Sequence, residues 1–173
     1  QNRMRVTRLW SGVSALGATG LVPETGPWPQ LMRAMALCND AAEGADGEPQ
    51  GDPTETAIYT AARDAGFAKA AIAGALPRVM ELPFDSDRKR MTTVHRDAGD
   101  CVAFTKGAPE SVVVRCSRIA LADGEAPIDV PAVLAQAEGM AAEGLRVLAF
   151  ASRRWPGLPA GDDVEDVEAD LAL

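Results

Sequence analysis

The stretch 102–110 constrains the fold most strongly, because a strand pattern, a cation and a helix start follow one another there. Side chains alternate between the two faces of a strand, so Lys106 falls on the same face as the apolar Phe104. Gly107 is expected to free the backbone for a turn, and Pro109 suits the first turn of a helix. The pattern predicts an ammonium group at a strand end, within a largely apolar wall. Such a wall suits a flat anionic ligand.

The composition is typical of a single soluble domain and argues against nucleic-acid binding and membrane insertion. The chain has 173 residues, of which 47% are hydrophobic and 24% charged, as in soluble globular domains. The net charge of -8 argues against nucleic acid as a partner, since binding a phosphate backbone requires a basic face. No apolar run is long enough to cross a bilayer, so we expect no membrane contact by this chain.

Cysteine and histidine usage predicts neither a metal site nor a catalytic residue. Cys38, Cys101 and Cys116 lie far apart, which favours neither a disulfide framework nor a zinc site. His95 is the one histidine, and it lacks a second ligand or triad partner nearby in the sequence. We therefore expect His95 to be a surface residue of a strand.

Hydrophobic periodicity predicts an α+β fold with an antiparallel sheet rather than a doubly wound parallel sheet. A hairpin is predicted around Asp97-Ala98-Gly99, with Gly99 supplying a positive φ. The remaining expectations are strands at 1–10, 79–82, 90–96, 100–106 and 146–151, helices near 29–38, 53–65, 67–76, 109–116 and 131–143, and loops at 11–26 and 39–50.

Three consecutive cations, Arg88, Lys89 and Arg90, follow Phe84 in an otherwise acidic chain. A charge run is commonly a solvated face. However, two of the three lysines, Lys89 and Lys106, lie in these stretches, and Phe84 offers a ring on which a base can stack. The set indicates a nucleotide site built without a glycine-rich phosphate loop, because neither common type of such loop occurs.

Two further charged residues each have two interpretations. Glu55 follows the N-cap Asp52 by three positions, so a capping box explains it, although a ligand role is compatible with that. Arg146 lies between apolar residues of a predicted strand and either binds an anion or reaches water from a sheet edge.

Four short motifs, in this order and rough spacing, resemble the nucleotide-binding (N) domain of P-type cation-transporting ATPases. The resemblance covers essentially the whole chain and implies a twisted antiparallel β-sheet flanked by helices. The motifs are Gly51-Asp52-Pro53-Thr54-Glu55, Phe84-Asp85-Ser86-Asp87-Arg88-Lys89-Arg90-Met91, Lys106-Gly107-Ala108-Pro109-Glu110 and Gly144-Leu145-Arg146.

The resemblance implies a site in which Phe84 stacks on adenine and Lys106 lies at the base of the pocket. Glu55 would approach the adenine amino group, and Arg146 would reach the phosphates. Ser86 stands where some calcium pumps have an arginine, so one cationic contact is expected to be missing. The nucleotide-binding set comprises Glu55, Phe84, Ser86, Lys89, Met91, Lys106, Gly107 and Arg146.

The resemblance also implies the ligand and the partners of the domain. The family binds ATP, with Mg²⁺ accompanying the nucleotide, and delivers the γ-phosphate to an aspartate on a phosphorylation domain. That aspartate is absent here, so no catalytic residue is expected in this cytoplasmic part of a membrane protein. We expect one domain over 1–173, with 1–10 and 156–173 as hinge or linker segments toward a phosphorylation domain. Phosphorylation and actuator domains of the same parent chain are the expected partners.

The motifs favour the calcium-pump-like branch, and a magnesium- or proton-pumping branch is the alternative. A different class also remains open: a non-enzymatic interaction domain, in which Phe84 is a core residue and Lys106 a salt-bridged surface residue. A free-standing ATP hydrolase would need a catalytic carboxylate and a metal site that the sequence does not assemble.

Overall fold

One long sheet with helices packed against it dominates the computed structural model, which describes residues 3–12, 14–17, 24–161 and 163–173. The strands are β1 (Arg8–Ser11), β2 (Ser14–Gly17), β3 (Ala42–Glu43), β4 (Pro49–Gln50), β5 (Arg78–Asp85), β6 (Arg90–Asp97), β7 (Asp100–Gly107), β8 (Cys116–Leu121), β9 (Gly124–Pro127), β10 (Ala149–Trp155) and β11 (Leu171–Ala172). The helices are α1 (Trp28–Leu37), α2 (Pro53–Asp64), α3 (Lys69–Ala73), α4 (Pro109–Val112), α5 (Val130–Ala142) and α6 (Val164–Val167), and a 3-10 turn over Val113–Arg115 follows α4.

The main sheet has seven strands in the order β5-β6-β7-β10-β11-β8-β9. Every neighbouring pair is antiparallel except β11 and β8, which run parallel. The predicted α+β fold with an antiparallel sheet is therefore confirmed. The predicted central hairpin is also present, as β6 and β7 pair in continuous register from Arg90↔Gly107 to Asp97↔Asp100.

The hairpin turn differs from the prediction in one detail. Ala98 takes the left-handed conformation, with φ +55°, and Gly99 does not. A two-residue hairpin loop needs a positive φ at its first central position to match the twist of the strands. The prediction placed this requirement on the glycine, whereas the structure places it on alanine, which pays a steric penalty there.

The two faces of the central strands pack against different layers. On one face, Val102, Phe104 and Met91 form a cluster with residues of α1. On the other face, Ala103 packs with Leu82 and with α6. Lys106 follows Phe104 by two positions and lies on the α1 face, as the alternation predicts.

The start of α2 follows the predicted capping chemistry. Asp52 is the N-cap, its Oδ1 accepts a hydrogen bond from the backbone N–H of Thr54 at 2.8 Å, and Pro53 is the first helical residue. This bond is the main reason why the pKa of Asp52 is lowered. Capping fixes where the helix begins and places Glu55 in its first turn, where an acidic group is favoured.

His95 is buried rather than exposed, so the surface prediction is wrong. Its side chain is 1% exposed, and its ring centroid lies 5.7 Å from that of Phe104. Nδ1 lies 2.9 Å from the carbonyl oxygen of Leu76 and must donate to it, which leaves Nε2 to accept from the hydroxyl of Thr93 at 2.8 Å. Burial lowers the pKa of His95 to about 4, and the imidazole is neutral at pH 7.

Several predicted boundaries shift in the structure. The expected strand 146–151 begins later and runs longer, as β10. The expected helix 109–116 ends early, because the chain passes through the 3-10 turn into β8, a strand that the sequence interpretation missed. The expected loop 11–26 contains β2, which pairs with β1; residues 13 and 18–23 of this prediction lie outside the described residues.

The segment 156–173 contributes to the core of the fold. Leu171 and Ala172 are buried in β11, between β10 and β8. Glu168, just after α6, is fully buried as well. This segment is therefore part of the folded core and not only a connection. Its role as a hinge toward another domain stays a prediction, and so does that of residues 1–10.

Candidate functional site

A row of side chains crosses the sheet on the face that carries Lys106. Met91 of β6 lies directly opposite Lys106 of β7, and Phe150 of β10 lies opposite Lys106 on its other side. Directly opposed residues of antiparallel strands share a face. Together with Phe84, whose position is described next, these residues form what we call the cross-sheet row: Phe84, Met91, Lys106 and Phe150.

A β-bulge brings Phe84 into this row. Leu82 pairs with Thr92 and Asp85 pairs with Arg90, so Pro83 and Phe84 together oppose the single residue Met91. A bulge inserts one residue and re-aims the side chains that follow. Counting back from Asp85, Phe84 falls on the Met91 face, whereas without the bulge it would share the face of Leu82.

The ring of Phe84 is largely free, whereas Lys106 is buried. Phe84 is 63% exposed and Lys106 is 5% exposed. The interaction-domain alternative assumed the reverse, with Phe84 in the core and Lys106 on the surface, so its structural premise is wrong. A planar base can stack on the exposed ring, which lies two strands away from the buried cation on the same face of the sheet.

Glu55 supplies the partner that a buried ammonium group requires. The Nζ of Lys106 donates to Oε1 of Glu55, and the other carboxylate oxygen accepts from the backbone N–H of Asp40 at 3.1 Å. Neither partner is the backbone N–H of Asp52, to which the side chain of Glu55 would bond in a capping box. The Glu55 carboxylate instead binds Lys106 and Asp40. A buried charge is tolerated only when paired, which makes the pair one unit.

Gly107 has a different role from the expected one. It ends β7 without a positive φ, so it is not needed for a turn. A Cβ at this position would lie 2.3 Å from the carbonyl oxygen of Lys89 and 2.6 Å from Cβ of Arg90. The residue is small because the β5–β6 turn passes directly over it, and the neighbouring Ala108 N–H donates to the same Lys89 carbonyl at 3.0 Å.

Lys89 and Ser86 lie in the turn between β5 and β6, at the protein surface. Lys89 takes the left-handed conformation, with φ +53°, and its Nζ lies 3.2 Å from the carboxylate of Glu110. Both side chains of this pair are more than half exposed, so the lysine is free to exchange partners. The pKa of Glu110 is lowered by its own backbone amide and then by Lys89.

The two arginines of the cationic run point elsewhere. Arg88 and Arg90 both bind the carboxylate of Glu168, and Arg90 shares the sheet face of Thr92. Of the three cations, only Lys89 belongs to the predicted nucleotide-binding set, and its side chain is 58% exposed. Strand alternation places Arg90 and Thr92 on one face and Met91 on the other, whereas Arg88, in the turn, is held on the Arg90 face by its bonds to Glu168.

Arg146 lines a cavity of about 450 Å³ that adjoins the cross-sheet row. The residue is exposed and lies before β10, after Gly144, whose φ of +84° ends the α5 region. Phe150 and Thr54, the latter next to Glu55, also line this cavity. Within the described chain, Arg146 is the only predicted site residue that lines this cavity. Of the other predicted residues, Phe84, Ser86 and Lys89 are exposed, whereas Met91, Lys106 and Gly107 are buried.

Two residues of this region were missed by the sequence interpretation. Phe150 lies within a predicted strand, so its apolar character was the available signal, but its place opposite Lys106 depends on strand pairing. Glu168 lies in the segment expected to be a linker, and no local pattern marks it as buried. Within the described chain, no group of three or more metal-binding side chains is found.

The chain is similar to P-type ATPases over most of its length. The family model described as P-type ATPase, cytoplasmic domain N, matches residues 27–173. The chain is 35% identical over 194 residues to a probable cation-transporting ATPase F of Mycobacterium tuberculosis, which covers 100% of this chain and 21% of that protein. It is 35% identical over 202 residues to a calcium-transporting ATPase of Bacillus subtilis, covering 100% of this chain and 22% of the relative.

A third relative is the calcium-transporting ATPase 1 of Lactococcus lactis, which is 37% identical over 151 residues, or 83% of this chain and 16% of that protein. The chain thus spans about a fifth of the length of the curated relatives it matches. In the part of the chain that the structure describes, no helix has the length and apolar character of a membrane span.

Proposed function

Because this chain belongs to the family of cytoplasmic N domains of P-type ATPases, we propose that it binds ATP and holds the adenine ring on Phe84. The observation that carries the proposal is the cross-sheet row. It sets an exposed aromatic ring in line with Met91 and with the buried Lys106–Glu55 pair on one face of the sheet. A base stacked on an aromatic side chain gains roughly 1–3 kcal/mol.

Each predicted site residue has a role in this proposal. Met91 and the aliphatic part of Lys106 form the apolar floor, and Glu55 offers a carboxylate oxygen to the amino group of the base. Lys89 follows the phosphate chain, since its surface pair with Glu110 is weak and can be exchanged for a phosphate. Gly107 lets the turn that carries Lys89 pack closely over the end of β7, and the short, exposed Ser86 leaves the approach open. Arg146 lies at the cavity beside the row, where it would reach the distal phosphates.

The bound ATP would serve chemistry that takes place on another domain. The proposed role of this chain is to hold the nucleotide and present its γ-phosphate to an aspartate of a phosphorylation domain, with an actuator domain as a further partner. The described residues form no metal-binding group, so we propose that Mg²⁺ arrives with the triphosphate and is held outside this chain. Its chemical contribution would be to neutralise phosphate charge.

The transported ion is proposed from the relatives. Two of the three proteins compared above are named calcium-transporting ATPases, and the third is named a cation-transporting ATPase. We propose a calcium-pump-like parent protein embedded in a membrane, with this domain on the cytoplasmic side. A magnesium- or proton-pumping branch is the alternative, because ion choice depends on membrane helices.

The affinity for ATP is expected to be weak, at roughly millimolar or somewhat tighter, which corresponds to about -4 to -6 kcal/mol. A single exposed ring and the absence of a phosphate-binding loop from the sequence support this value. An NMR titration of the 173-residue chain with ATP tests the proposal. Shifts should concentrate at Phe84, Met91 and Lys106, and their absence at several millimolar ATP would refute it.

Two variants, one of them a matched control, complete the experiment. Phe84→Ala should weaken ATP binding and leave the fold intact, because the ring is 63% exposed. Leu158→Ala removes a side chain that is also half exposed, at 51%, and should leave ATP binding unchanged. If both variants bind ATP like the original chain, stacking on Phe84 is ruled out. Magnesium-dependent phosphate release by the chain alone would instead favour a free-standing hydrolase.

A further inference from the structure

A fully buried carboxylate links the C-terminal segment to the turn that follows Phe84. Glu168, which is 0% exposed, accepts hydrogen bonds from Nη1 of Arg88 at 2.7 and 2.8 Å, from Nε of Arg90 and from the hydroxyl of Thr92 at 2.7 Å. Arg88 and Glu168 are 80 positions apart in the chain. These contacts lie on the sheet face opposite Lys106, outside the proposed nucleotide site.

The guanidinium group of Arg88 extends this link to the bulge. While Nη1 binds Glu168, Nη2 donates to the carbonyl oxygen of Pro83 at 2.7 Å. This carbonyl belongs to the peptide bond between Pro83 and Phe84, within the bulge that aims the ring. One planar cation thus joins a buried carboxylate to the backbone immediately before the exposed ring.

Further contacts hold the rest of the turn. Oδ1 of Asp85 accepts from the backbone amides of Asp87 and Arg88 at 2.8 and 2.9 Å, and Ser111 donates to the Arg88 carbonyl. These bonds shape the turn but do not reach Pro83. The bulge itself lacks the regular ladder that fixes a strand, so its conformation depends on side-chain contacts.

We propose that Glu168 is a positioning residue that, through Arg88, holds the Phe84 ring in the orientation that stacks on the adenine base. The inference rests on the proposed function. A guanidinium suits this task because its rigid fork binds two acceptors at once, whereas an ammonium group cannot reproduce that geometry. Without the carboxylate, the Arg88 guanidinium loses its buried acceptor, and the bulge samples other conformations. ATP then binds only to the fraction of molecules with the ring in place.

Arg88→Lys and Glu168→Gln test the proposal on the 173-residue chain. If the ring is correctly placed about one fifth of the time in a variant, the apparent Kd for ATP rises about fivefold. Inorganic triphosphate has no base to stack and should bind each variant as it binds the original chain. Amide exchange at Arg88 and Lys89 should accelerate, while exchange at Val94, in the middle of β6, should change little.

A matched control separates positioning from overall stability. Thr92→Val removes a different partner of the same carboxylate, one that lies on the sheet rather than in the turn. It should lower stability and leave the Kd for ATP and the exchange at Arg88 unchanged. If Glu168 only stabilises the fold, Arg88→Lys, Glu168→Gln and Thr92→Val should all reduce stability. The Kd for ATP of the folded molecules should then be unchanged in all three variants. If Glu168→Gln fails to fold, Arg88→Lys alone decides.

The outcomes for the two proposals are distinguishable. Failure of the original chain to bind ATP would refute the proposed function, and the amide exchange at Arg88 and Lys89 would still test the link to Glu168. Normal ATP binding by Arg88→Lys, with protected turn amides, would refute the positioning role and leave the proposed function standing.

Discussion

The ammonium group of Lys106 and the carboxylate of Glu55 form an ion pair that is almost closed to solvent, with side chains 6% and 20% exposed. The two residues are 51 positions apart and come from β7 and the first turn of α2. The pair joins the helix layer to the sheet at the point where Met91 lies opposite Lys106. It is therefore a structural contact and a proposed ligand contact at once, and its two roles need separate measurements.

Glu55→Gln should lower the free energy of unfolding by about 3 kcal/mol, because it leaves a buried ammonium group without a counter-charge. Glu110→Gln is the matched control, since it removes the carboxylate partner of Lys89 from a pair whose side chains are 58% and 60% exposed. The control should cost less than about 1 kcal/mol. Urea denaturation at pH 7 measures both, and equal effects would contradict the buried character of the first pair.

Gly107→Ala should destabilise the chain by roughly 1–3 kcal/mol, because the new methyl group overlaps the Lys89 carbonyl and forces the turn away. Gly139→Ala is the control, and its effect on stability should have the opposite sign. Gly139 lies inside α5, and a methyl group there would meet no other atom within 4 Å, so alanine should stabilise the helix by about 0.5–1 kcal/mol. Thermal unfolding of the two variants checks the signs. A neutral Gly107→Ala would mean that the turn does not pass so close.

Ala98→Gly should raise the free energy of unfolding by about 0.5–1 kcal/mol, because glycine adopts the left-handed conformation of this turn without a Cβ clash. Ala98 has φ +55° at the tip of the β6–β7 hairpin. Ala135→Gly, at an exposed position inside α5, should lower stability by a similar amount. Chemical denaturation compares the two, and destabilisation by both would show that position 98 does not hold this conformation in solution.

Stability should fall by about 2 kcal/mol between pH 7 and pH 5, because the unfolded chain takes up a proton on His95 that the folded chain does not. Burial lowers the pKa of His95 from 6.5 to about 4. A lowered histidine pKa contributes stability above the unfolded pKa, and this contribution is lost as the pH falls through the window from 6.5 to about 4. Urea titrations at both pH values measure the difference.

His95→Gln is the control for this pH dependence. Glutamine can donate to the Leu76 carbonyl and accept from Thr93, but it does not titrate. The variant should lose most of the change in stability between pH 7 and pH 5, whatever its stability at pH 7. The pKa values of Asp52 and Asp85 are lowered, so these carboxylates titrate below the window. An unchanged pH slope in the variant would assign the effect to other groups.

Much of the architecture was predictable because it depends on neighbouring residues. The cap at Asp52 and Pro53, the alternation that puts Lys106 on the face of Phe104, and the β6–β7 hairpin all follow from local rules, and all are observed. The strand β8 was missed although it forms a local hairpin with β9, whereas β11, in a segment predicted to be a hinge, is stabilised by pairing with strands distant in sequence. His95 was misjudged because its burial depends on packing against Phe104 and on hydrogen bonds to Leu76 and Thr93.

The sequence by itself determined the family and the chemical types available to the site: aromatic rings, few lysines, and a glutamate at a helix start. Only the tertiary structure decided how they are arranged. The bulge that turns Phe84 toward Met91 appears in the pairing register of β5 and β6, not in any residue pattern. The sorting of Arg88 away from Lys89 likewise depends on Glu168, which approaches from the far end of the chain. Local rules cannot predict the bulge or the placement of Arg88, because the free energy that favours each comes from contacts between residues distant in sequence.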